Sequence, residues 1–300
     1  MTNEQIIALI KREVVPAIGC TEPAAVALCT AYATEALGSR PDRIDVRLSG
    51  NMLKNAMGVG IPGTGMTGLP IAVALGALIG KSAYSLEVLK DVCPQAVADA
   101  KAYLAEKRIA IGLTKDSDET LYIEVNCEAG EKRSRAVIAR EHTRLVYLDG
   151  PCVQTLDRRA ELGKETEDAA ENDLTLRRVY EFATTAPLEE LEFINESRRL
   201  NEAAAQEALK GNYGHELGKT LSRPLGKGIM GDSIFSHIIS ATSSACDARM
   251  AGAMIPVMSN SGSGNQGIAA TLPVVVFARE NHNTEEELTR ALVLSHLTAI

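Results

Sequence analysis

The chain has 300 residues, of which 45% are apolar and 23% charged, and carries a formal net charge of −8. That length suits one large domain or two ordinary ones, and the acidic balance with scattered Lys and Arg excludes a nucleic-acid surface. No uninterrupted run of about 18 apolar residues occurs, and Met1–Ile10 lacks the basic region and long apolar stretch of a secretory signal. A cytoplasmic protein without a membrane span is expected.

Thr2–Gln5 reads as a capping box opening a helix whose Ile6, Ile10 and Val14 share a face. Pro16 and Gly19 end it. Gly19-Cys20-Thr21-Glu22-Pro23 then precedes the Ala-rich segment Ala24–Leu37. Thr21 suits an N-cap and Pro23 a first turn, so Cys20 sits just ahead of a helix start, where a reactive thiolate is favoured. An inert buried thiol fits Cys20 equally well. Cys29, Cys93, Cys127 and Cys152 read as inert, and the six cysteines contain no C-x-x-C pair, which excludes a local zinc knuckle. No metal ligands are assigned.

Ile44–Leu48 alternates like a strand, and Asn51–Ile61 follows with Lys54 and Asn55. Leu69–Ile79, Glu87–Val92 and Pro94–Lys107 read as helical. Between 109 and 149 the short runs Thr120–Val125, Arg135–Arg140 and Arg144–Leu148 predict an antiparallel meander with one solvated face, on which His142 is a surface residue. The charged stretch 151–173 reads as a linker. Helices are expected over Leu174–Thr184, Leu188–Leu209 and about Ile229–Met250. Asn212–Asp232, glycine-rich with Tyr213, His215, Lys219, Arg223 and Lys227, reads either as an active-site loop or as an ordinary connection. Arg249 suits either a bidentate clamp on a carboxylate or a pair with Asp247. Thr284–Glu287 opens a last helix that reaches Ile300 with its apolar face unfinished, so the chain is expected to be cut or to complete its core with a second copy or another polypeptide.

Two glycine loops stand out: Gly63–Gly68, and Ser259–Gly267 ahead of the apolar run Ile268–Ala278. Both match G-x-G-x-x-G, but a dinucleotide fingerprint needs a preceding strand and an acidic residue about 20 positions on. Pro256 and the position of Glu285–Glu287 spoil that context for the second loop. A helix starting near Gln266 would aim its unpaired N–H groups at an anion. The two loops are read as converging on one ligand, against the plainer reading of turns that let helices approach.

Gly19–Pro23, Gly50-Asn51-Met52-Leu53-Lys54-Asn55, Gly60–Gly63, Ala245–Gly252 and Ser259–Gly267 together resemble the iron–sulfur L-cysteine desulfidases, relatives of the alpha part of iron–sulfur L-serine dehydratases. The resemblance implies a lyase without pyridoxal phosphate that converts L-cysteine to pyruvate, ammonia and sulfide, with L-serine dehydration as the alternative. It implies a [4Fe-4S] cluster whose ligands lie outside this chain, and an acid–base role for Cys20. Asn265 and Gln266, with Ser263 and the N–H groups of Gly264 and Gly267, are expected to hold the substrate, with Lys54, Asn55 and Arg249 as further candidates. A non-catalytic amino-acid-binding homologue without a cluster is the rival expectation. The fold expected is α+β: a helical catalytic region over 1–38 and 174–300, and an inserted sheet domain over 40–150.

Overall fold

The computed structural model describes residues 1–115, 117, 119–162 and 174–300. It is α+β and folds as two compact units, Met1–Ala17 with Thr166–Ile300, and Ile18–Glu165. In chain order the elements begin with α1 (Asn3–Glu13), β1 (Pro16–Ile18), α2 (Thr21–Leu37), β2 (Arg43–Leu48), α3 (Gly50–Ala56), β3 (Gly60–Ile61), β4 (Met66–Thr67), α4 (Leu69–Leu78) and α5 (Pro94–Ala105). The strands β5 (Ile109–Leu113), β6 (Tyr122–Ala129), β7 (Lys132–Ala139), β8 (Leu145–Asp149) and β9 (Leu156–Asp157) follow. The remainder is α6 (Leu176–Thr185), α7 (Leu188–Leu191), α8 (Asn195–Lys210), α9 (Leu217–Ser222), α10 (Pro224–Met230), α11 (Ile234–Met250), β10 (Pro256–Met258), α12 (Gly264–Glu280) and α13 (Glu285–Ala299).

In the second unit one sheet of order β5-β2-β6-β7-β8-β9 carries α2 on one face. The meander expected over 109–149 is antiparallel through β6, β7 and β8. Its first strand departs from that expectation: β5 runs parallel to β2, with Ile44 opposite Ile109. A parallel pair needs a long crossover, and α3, α4 and α5 supply it. The alternation of Ile44, Val46 and Leu48 turns all three into the core, beside Ile123 and Val125. Full burial of each such side chain contributes roughly 1.5–3 kcal/mol.

Helix α2 is buried on nearly every side, between β6 and β7 and α4, which is why its Ala-rich sequence lacks a polar face. Residues 18–38 therefore pack with the sheet, whereas the sequence boundary assigned 1–38 to the helical region. Gly76 makes the α2–α4 approach possible, because a Cβ there would lie 2.5 Å from the Ala27 carbonyl oxygen. Buried Cys29 donates to the Ile123 and Ala136 carbonyls at 3.7 and 3.5 Å, and burial pushes the Cys127 thiol up to about 12, so both are structural. Glu87–Val92, expected as a helix, instead follows a 3-10 segment over Ser82–Glu87. The expected linker 151–173 lies outside the described residues beyond 162, and its first part adds β9 to the sheet edge.

The other unit is helical. Amphipathic α1, α6 and α13 close over Ile10, Val179, Phe182, Leu292 and Val293. Asn212–Asp232 holds α9 and α10 rather than a bare loop, and Gly231 (φ 74°) separates α10 from α11. Among the described residues no helix is long and apolar enough to cross a membrane. Replacing Gly76 with Ala is expected to overpack the α2–α4 contact and lower stability by about 1–3 kcal/mol. A shift of the urea midpoint at constant slope would show it, and an unmoved midpoint would contradict this account of the packing.

Candidate functional site

In the sheet unit the Gly19–Pro23 stretch folds into a tight helix entry. Gly19 adopts φ +73°, and a Cβ there would run into Pro62. Cys20, rather than Thr21, is the N-cap, and its side chain makes no capping bond. The thiol donates to Glu22 Oε2, at 2.8 Å. Thr21, the first helical residue, donates its hydroxyl to the same oxygen at 3.1 Å, and Asn55 Nδ2 approaches Glu22 Oε1 at 3.5 Å. Glu22 lies in the first turn of α2, where the helix dipole favours negative charge. Burial pushes its carboxyl up, but the Cys20 thiol, its own backbone N–H, the charge of His142 and the Thr21 hydroxyl together bring it below the ordinary 4.5.

Glu22 opens onto a cavity of about 400 Å³ that Asn51, Asn55, Glu119, Arg140 and His142 also line. Arg140 donates to Glu119 Oε1 at 3.0 Å and to the Leu162 carbonyl. His142 is half-buried here, not the surface residue expected from the meander pattern. Lys54 is exposed on α3 and does not line this cavity, whereas its neighbour Asn55 does. Sequence reasoning missed Glu22, Arg140 and His142. Glu22 had a signal, standing two residues after the thiol in a helix's first turn. The other two come from the turn between β7 and β8, distant in sequence from Glu22, and no local pattern marks them.

The Gly63–Gly68 loop is the turn of the small β3–β4 hairpin, with Gly63 and Gly65 at positive φ. The plain reading accounts for its glycines. In the helical unit the second loop caps α12. Ser263 accepts from the Gln266 N–H at 3.3 Å, and a Cβ on Gly264 would meet the Arg249 guanidinium, one on Gly267 the Met258 carbonyl. Buried Arg249 donates to Asn265 Oδ1 at 2.9 Å, and Asp247 accepts from the backbone N–H groups of His215 and Leu217. Gln266 donates to Asn260 Oδ1 and to the Ala299 carbonyl at 3.1 and 2.8 Å. Asn265 and Gln266 thus tie the loop to its own scaffold.

Behind the loop lies a buried polar core. Thr271 donates its hydroxyl hydrogen to the Gly267 carbonyl at 2.7 Å, so towards His296 Nε2, at 3.0 Å, it accepts. Nε2 therefore carries the imidazole hydrogen, and Nδ1 accepts from Asn260 Nδ2 at 3.1 Å. A second proton on Nδ1 would face the Asn260 amide donor. Burial lowers the imidazole to about 4, and His296 is neutral at ordinary pH. Neither site offers a metal cradle, since no three His, Cys, Asp or Glu side chains converge among the described residues. The side chains present do not fit an iron–sulfur cluster.

Residues 83–300 match the family model described as serine dehydratase alpha chain. The chain is 64% identical over 298 residues to a UPF0597 protein of Bacteroides thetaiotaomicron, spanning 99% of this chain and 69% of that protein. It is 63% identical over 304 residues to a UPF0597 protein of Phocaeicola vulgatus, with the same coverage. A UPF0597 protein of Oleidesulfovibrio alaskensis is 45% identical over 298 residues, 98% of this chain and 68% of that protein. No solved structure matches. Cys20 precedes the family-model match but lies within the stretch shared with these relatives.

The buried imidazole generates a pH prediction for the helical unit. Its folded value, about 4, lies below the ordinary 6.5, so the unfolded chain binds more protons between them. Stability is then full above pH about 6.5 and falls by up to about 3 kcal/mol as pH drops towards 4. Denaturant titrations across that window should show the decline in the wild type and a flatter profile in His296→Gln; identical profiles would contradict the assignment.

Proposed function

The chain belongs to the serine dehydratase alpha-chain family, and from that premise we propose that it performs β-elimination on a small L-α-amino acid, L-cysteine before L-serine. With L-cysteine, loss of the α-proton and departure of hydrogen sulfide leave 2-aminoacrylate, whose imine tautomer takes up water and yields pyruvate and ammonia. L-serine would lose water in the same way. The observation that supports this reading is the Cys20 thiol donating at 2.8 Å to a carboxylate held ionised. A thiol paired with a base can move a proton, whereas an inert core thiol such as Cys29 donates to backbone carbonyls.

In this reading Glu22 accepts the Cys20 proton, and the sulfur takes the substrate α-proton. Asn55, with Arg140, Glu119 and His142 around the cavity, provides opposed charges for a zwitterion. The loop residues Ser263, Gly264, Asn265, Gln266 and Gly267, and Arg249 behind them, stay proposed substrate-binding groups. Their side-chain amides are engaged with the scaffold, so their contribution rests on the first backbone N–H groups of α12. An iron–sulfur cluster in the whole protein would take its ligands from outside this chain. A second reading is an amino-acid-binding protein without turnover, which the dispersed cysteines favour.

Anaerobic reconstitution followed by assay of sulfide and pyruvate from L-cysteine, with L-serine in parallel, decides between them. Cys20→Ala and Glu22→Gln are each expected to lower kcat by about 10²–10⁴ with a small change in KM. Unchanged turnover in Cys20→Ala would remove the thiol from the chemistry, and binding without turnover in the wild type would favour the second reading.

A further inference from the structure

In the helical unit α8, α9, α10, α11 and α12 enclose a second cavity, of about 360 Å³. Its size falls at the small end of ligand sites, which run from about 300 to 1,000 Å³. The walls divide by chemistry. Ala205, Leu221, Ala241, Leu272 and Val276 form an apolar floor of aliphatic side chains, without an aromatic ring for a base to stack on. The rim carries Lys227 and Arg279 on one hand and Glu202 and Glu280 on the other, with His237 between. No glycine-rich phosphate cradle lines it.

His237 marks where a ligand is needed. Its Nε2 lies 2.7 Å from Asp232 Oδ1, which accepts the ring hydrogen. Nδ1 lies 3.3 Å from Glu280 Oε1, yet it is buried with no hydrogen-bond partner among the described residues. A buried ring nitrogen left unsatisfied beside a carboxylate favours a ligand that brings its own hydrogen-bonding group to this rim. The other rim charges sit in partly or fully exposed pairs, Lys227 with Asp232 at 3.0 Å, Arg279 with Glu280 at 3.5 Å and Glu202 with Arg198 at 3.3 Å. Such pairs contribute little on their own, so a ligand's charges can replace them.

We propose that this cavity is a binding site for an α-amino acid with an aliphatic side chain, distinct from the cavity that Glu22 lines. The ammonium group sits at Glu280 and Glu202, the carboxylate at Lys227 and Arg279, and the side chain on the Ala241–Leu272 floor. Balanced charges over an apolar floor select a zwitterion with an apolar tail against a plain anion, a plain cation or a nucleotide. Polar Asn212–Asp232 thereby gains a reason for its composition, since α9 and α10 form one wall and carry Lys227.

Isothermal titration with L-leucine, isovalerate and isopentylamine tests the site. L-leucine is expected to bind saturably with a Kd at or below about 1 mM, and each half-ligand at least about tenfold more weakly. Ala241→Leu, which fills the floor, should abolish binding. Glu280→Gln, on a partly exposed side chain, should weaken it about tenfold and serves if the filled variant does not fold. The same titration in Cys20→Ala should be unchanged, which separates this site from the proposed chemistry. No saturable binding of L-leucine, equal binding of isovalerate, loss of binding in Cys20→Ala, or wild-type binding in Glu280→Gln would each overturn the proposal.

Discussion

The hydrogen bond from Cys20 to Glu22 is the constraint on which the functional reading depends. The local backbone places the thiol beside the carboxylate. Gly19 turns in a conformation that a side chain would obstruct, Cys20 occupies the N-cap without capping, and Pro23 sits where the helix needs no N–H. The carboxylate then lands in the first turn, favoured there by the dipole and by the Thr21 hydroxyl. Each residue of the Gly-Cys-Thr-Glu-Pro stretch thus has its own physical reason, and together they aim a proton donor at an ionised acceptor.

The helical unit uses polar groups in the opposite way. Around His296 every hydrogen has one direction: Thr271 gives to Gly267 and accepts from the ring, and Asn260 gives to the ring and accepts from Gln266. A buried network satisfied at every member holds one arrangement firmly. It fixes the start of α12 against α13 without any apolar side chain from the loop itself. Rigidity in the loop and reactivity in the Cys20 turn are the two products of burying polar atoms, one fully satisfied and one poised.

Much of this was legible in sequence. The capping boxes at Thr2 and Thr284, the alternation of Ile44–Leu48 and the helix following Cys20 are local signals, and local signals carried the α+β class. The parallel pairing of β5 was not legible, because an edge strand takes its partner from tertiary packing rather than from its own pattern. The Ala-rich run Ala24–Leu37 showed a helix but not that the sheet would cover it, which moved residues 18–38 into the other unit. His142 looked like a surface residue of the meander, since period-2 patterning cannot say which polar face closes over a cavity. The glycine loops also have local reasons for their glycines: Gly65 serves a hairpin turn, and Gly264 and Gly267 serve close approach.

The most direct measurement is a carboxyl ¹³C titration of Glu22 by NMR, in the wild type and in Cys20→Ala. The account predicts a wild-type midpoint below the ordinary 4.5 that rises when the thiol donor is removed. A midpoint at or above 4.5, or one indifferent to the loss of Cys20, would contradict it.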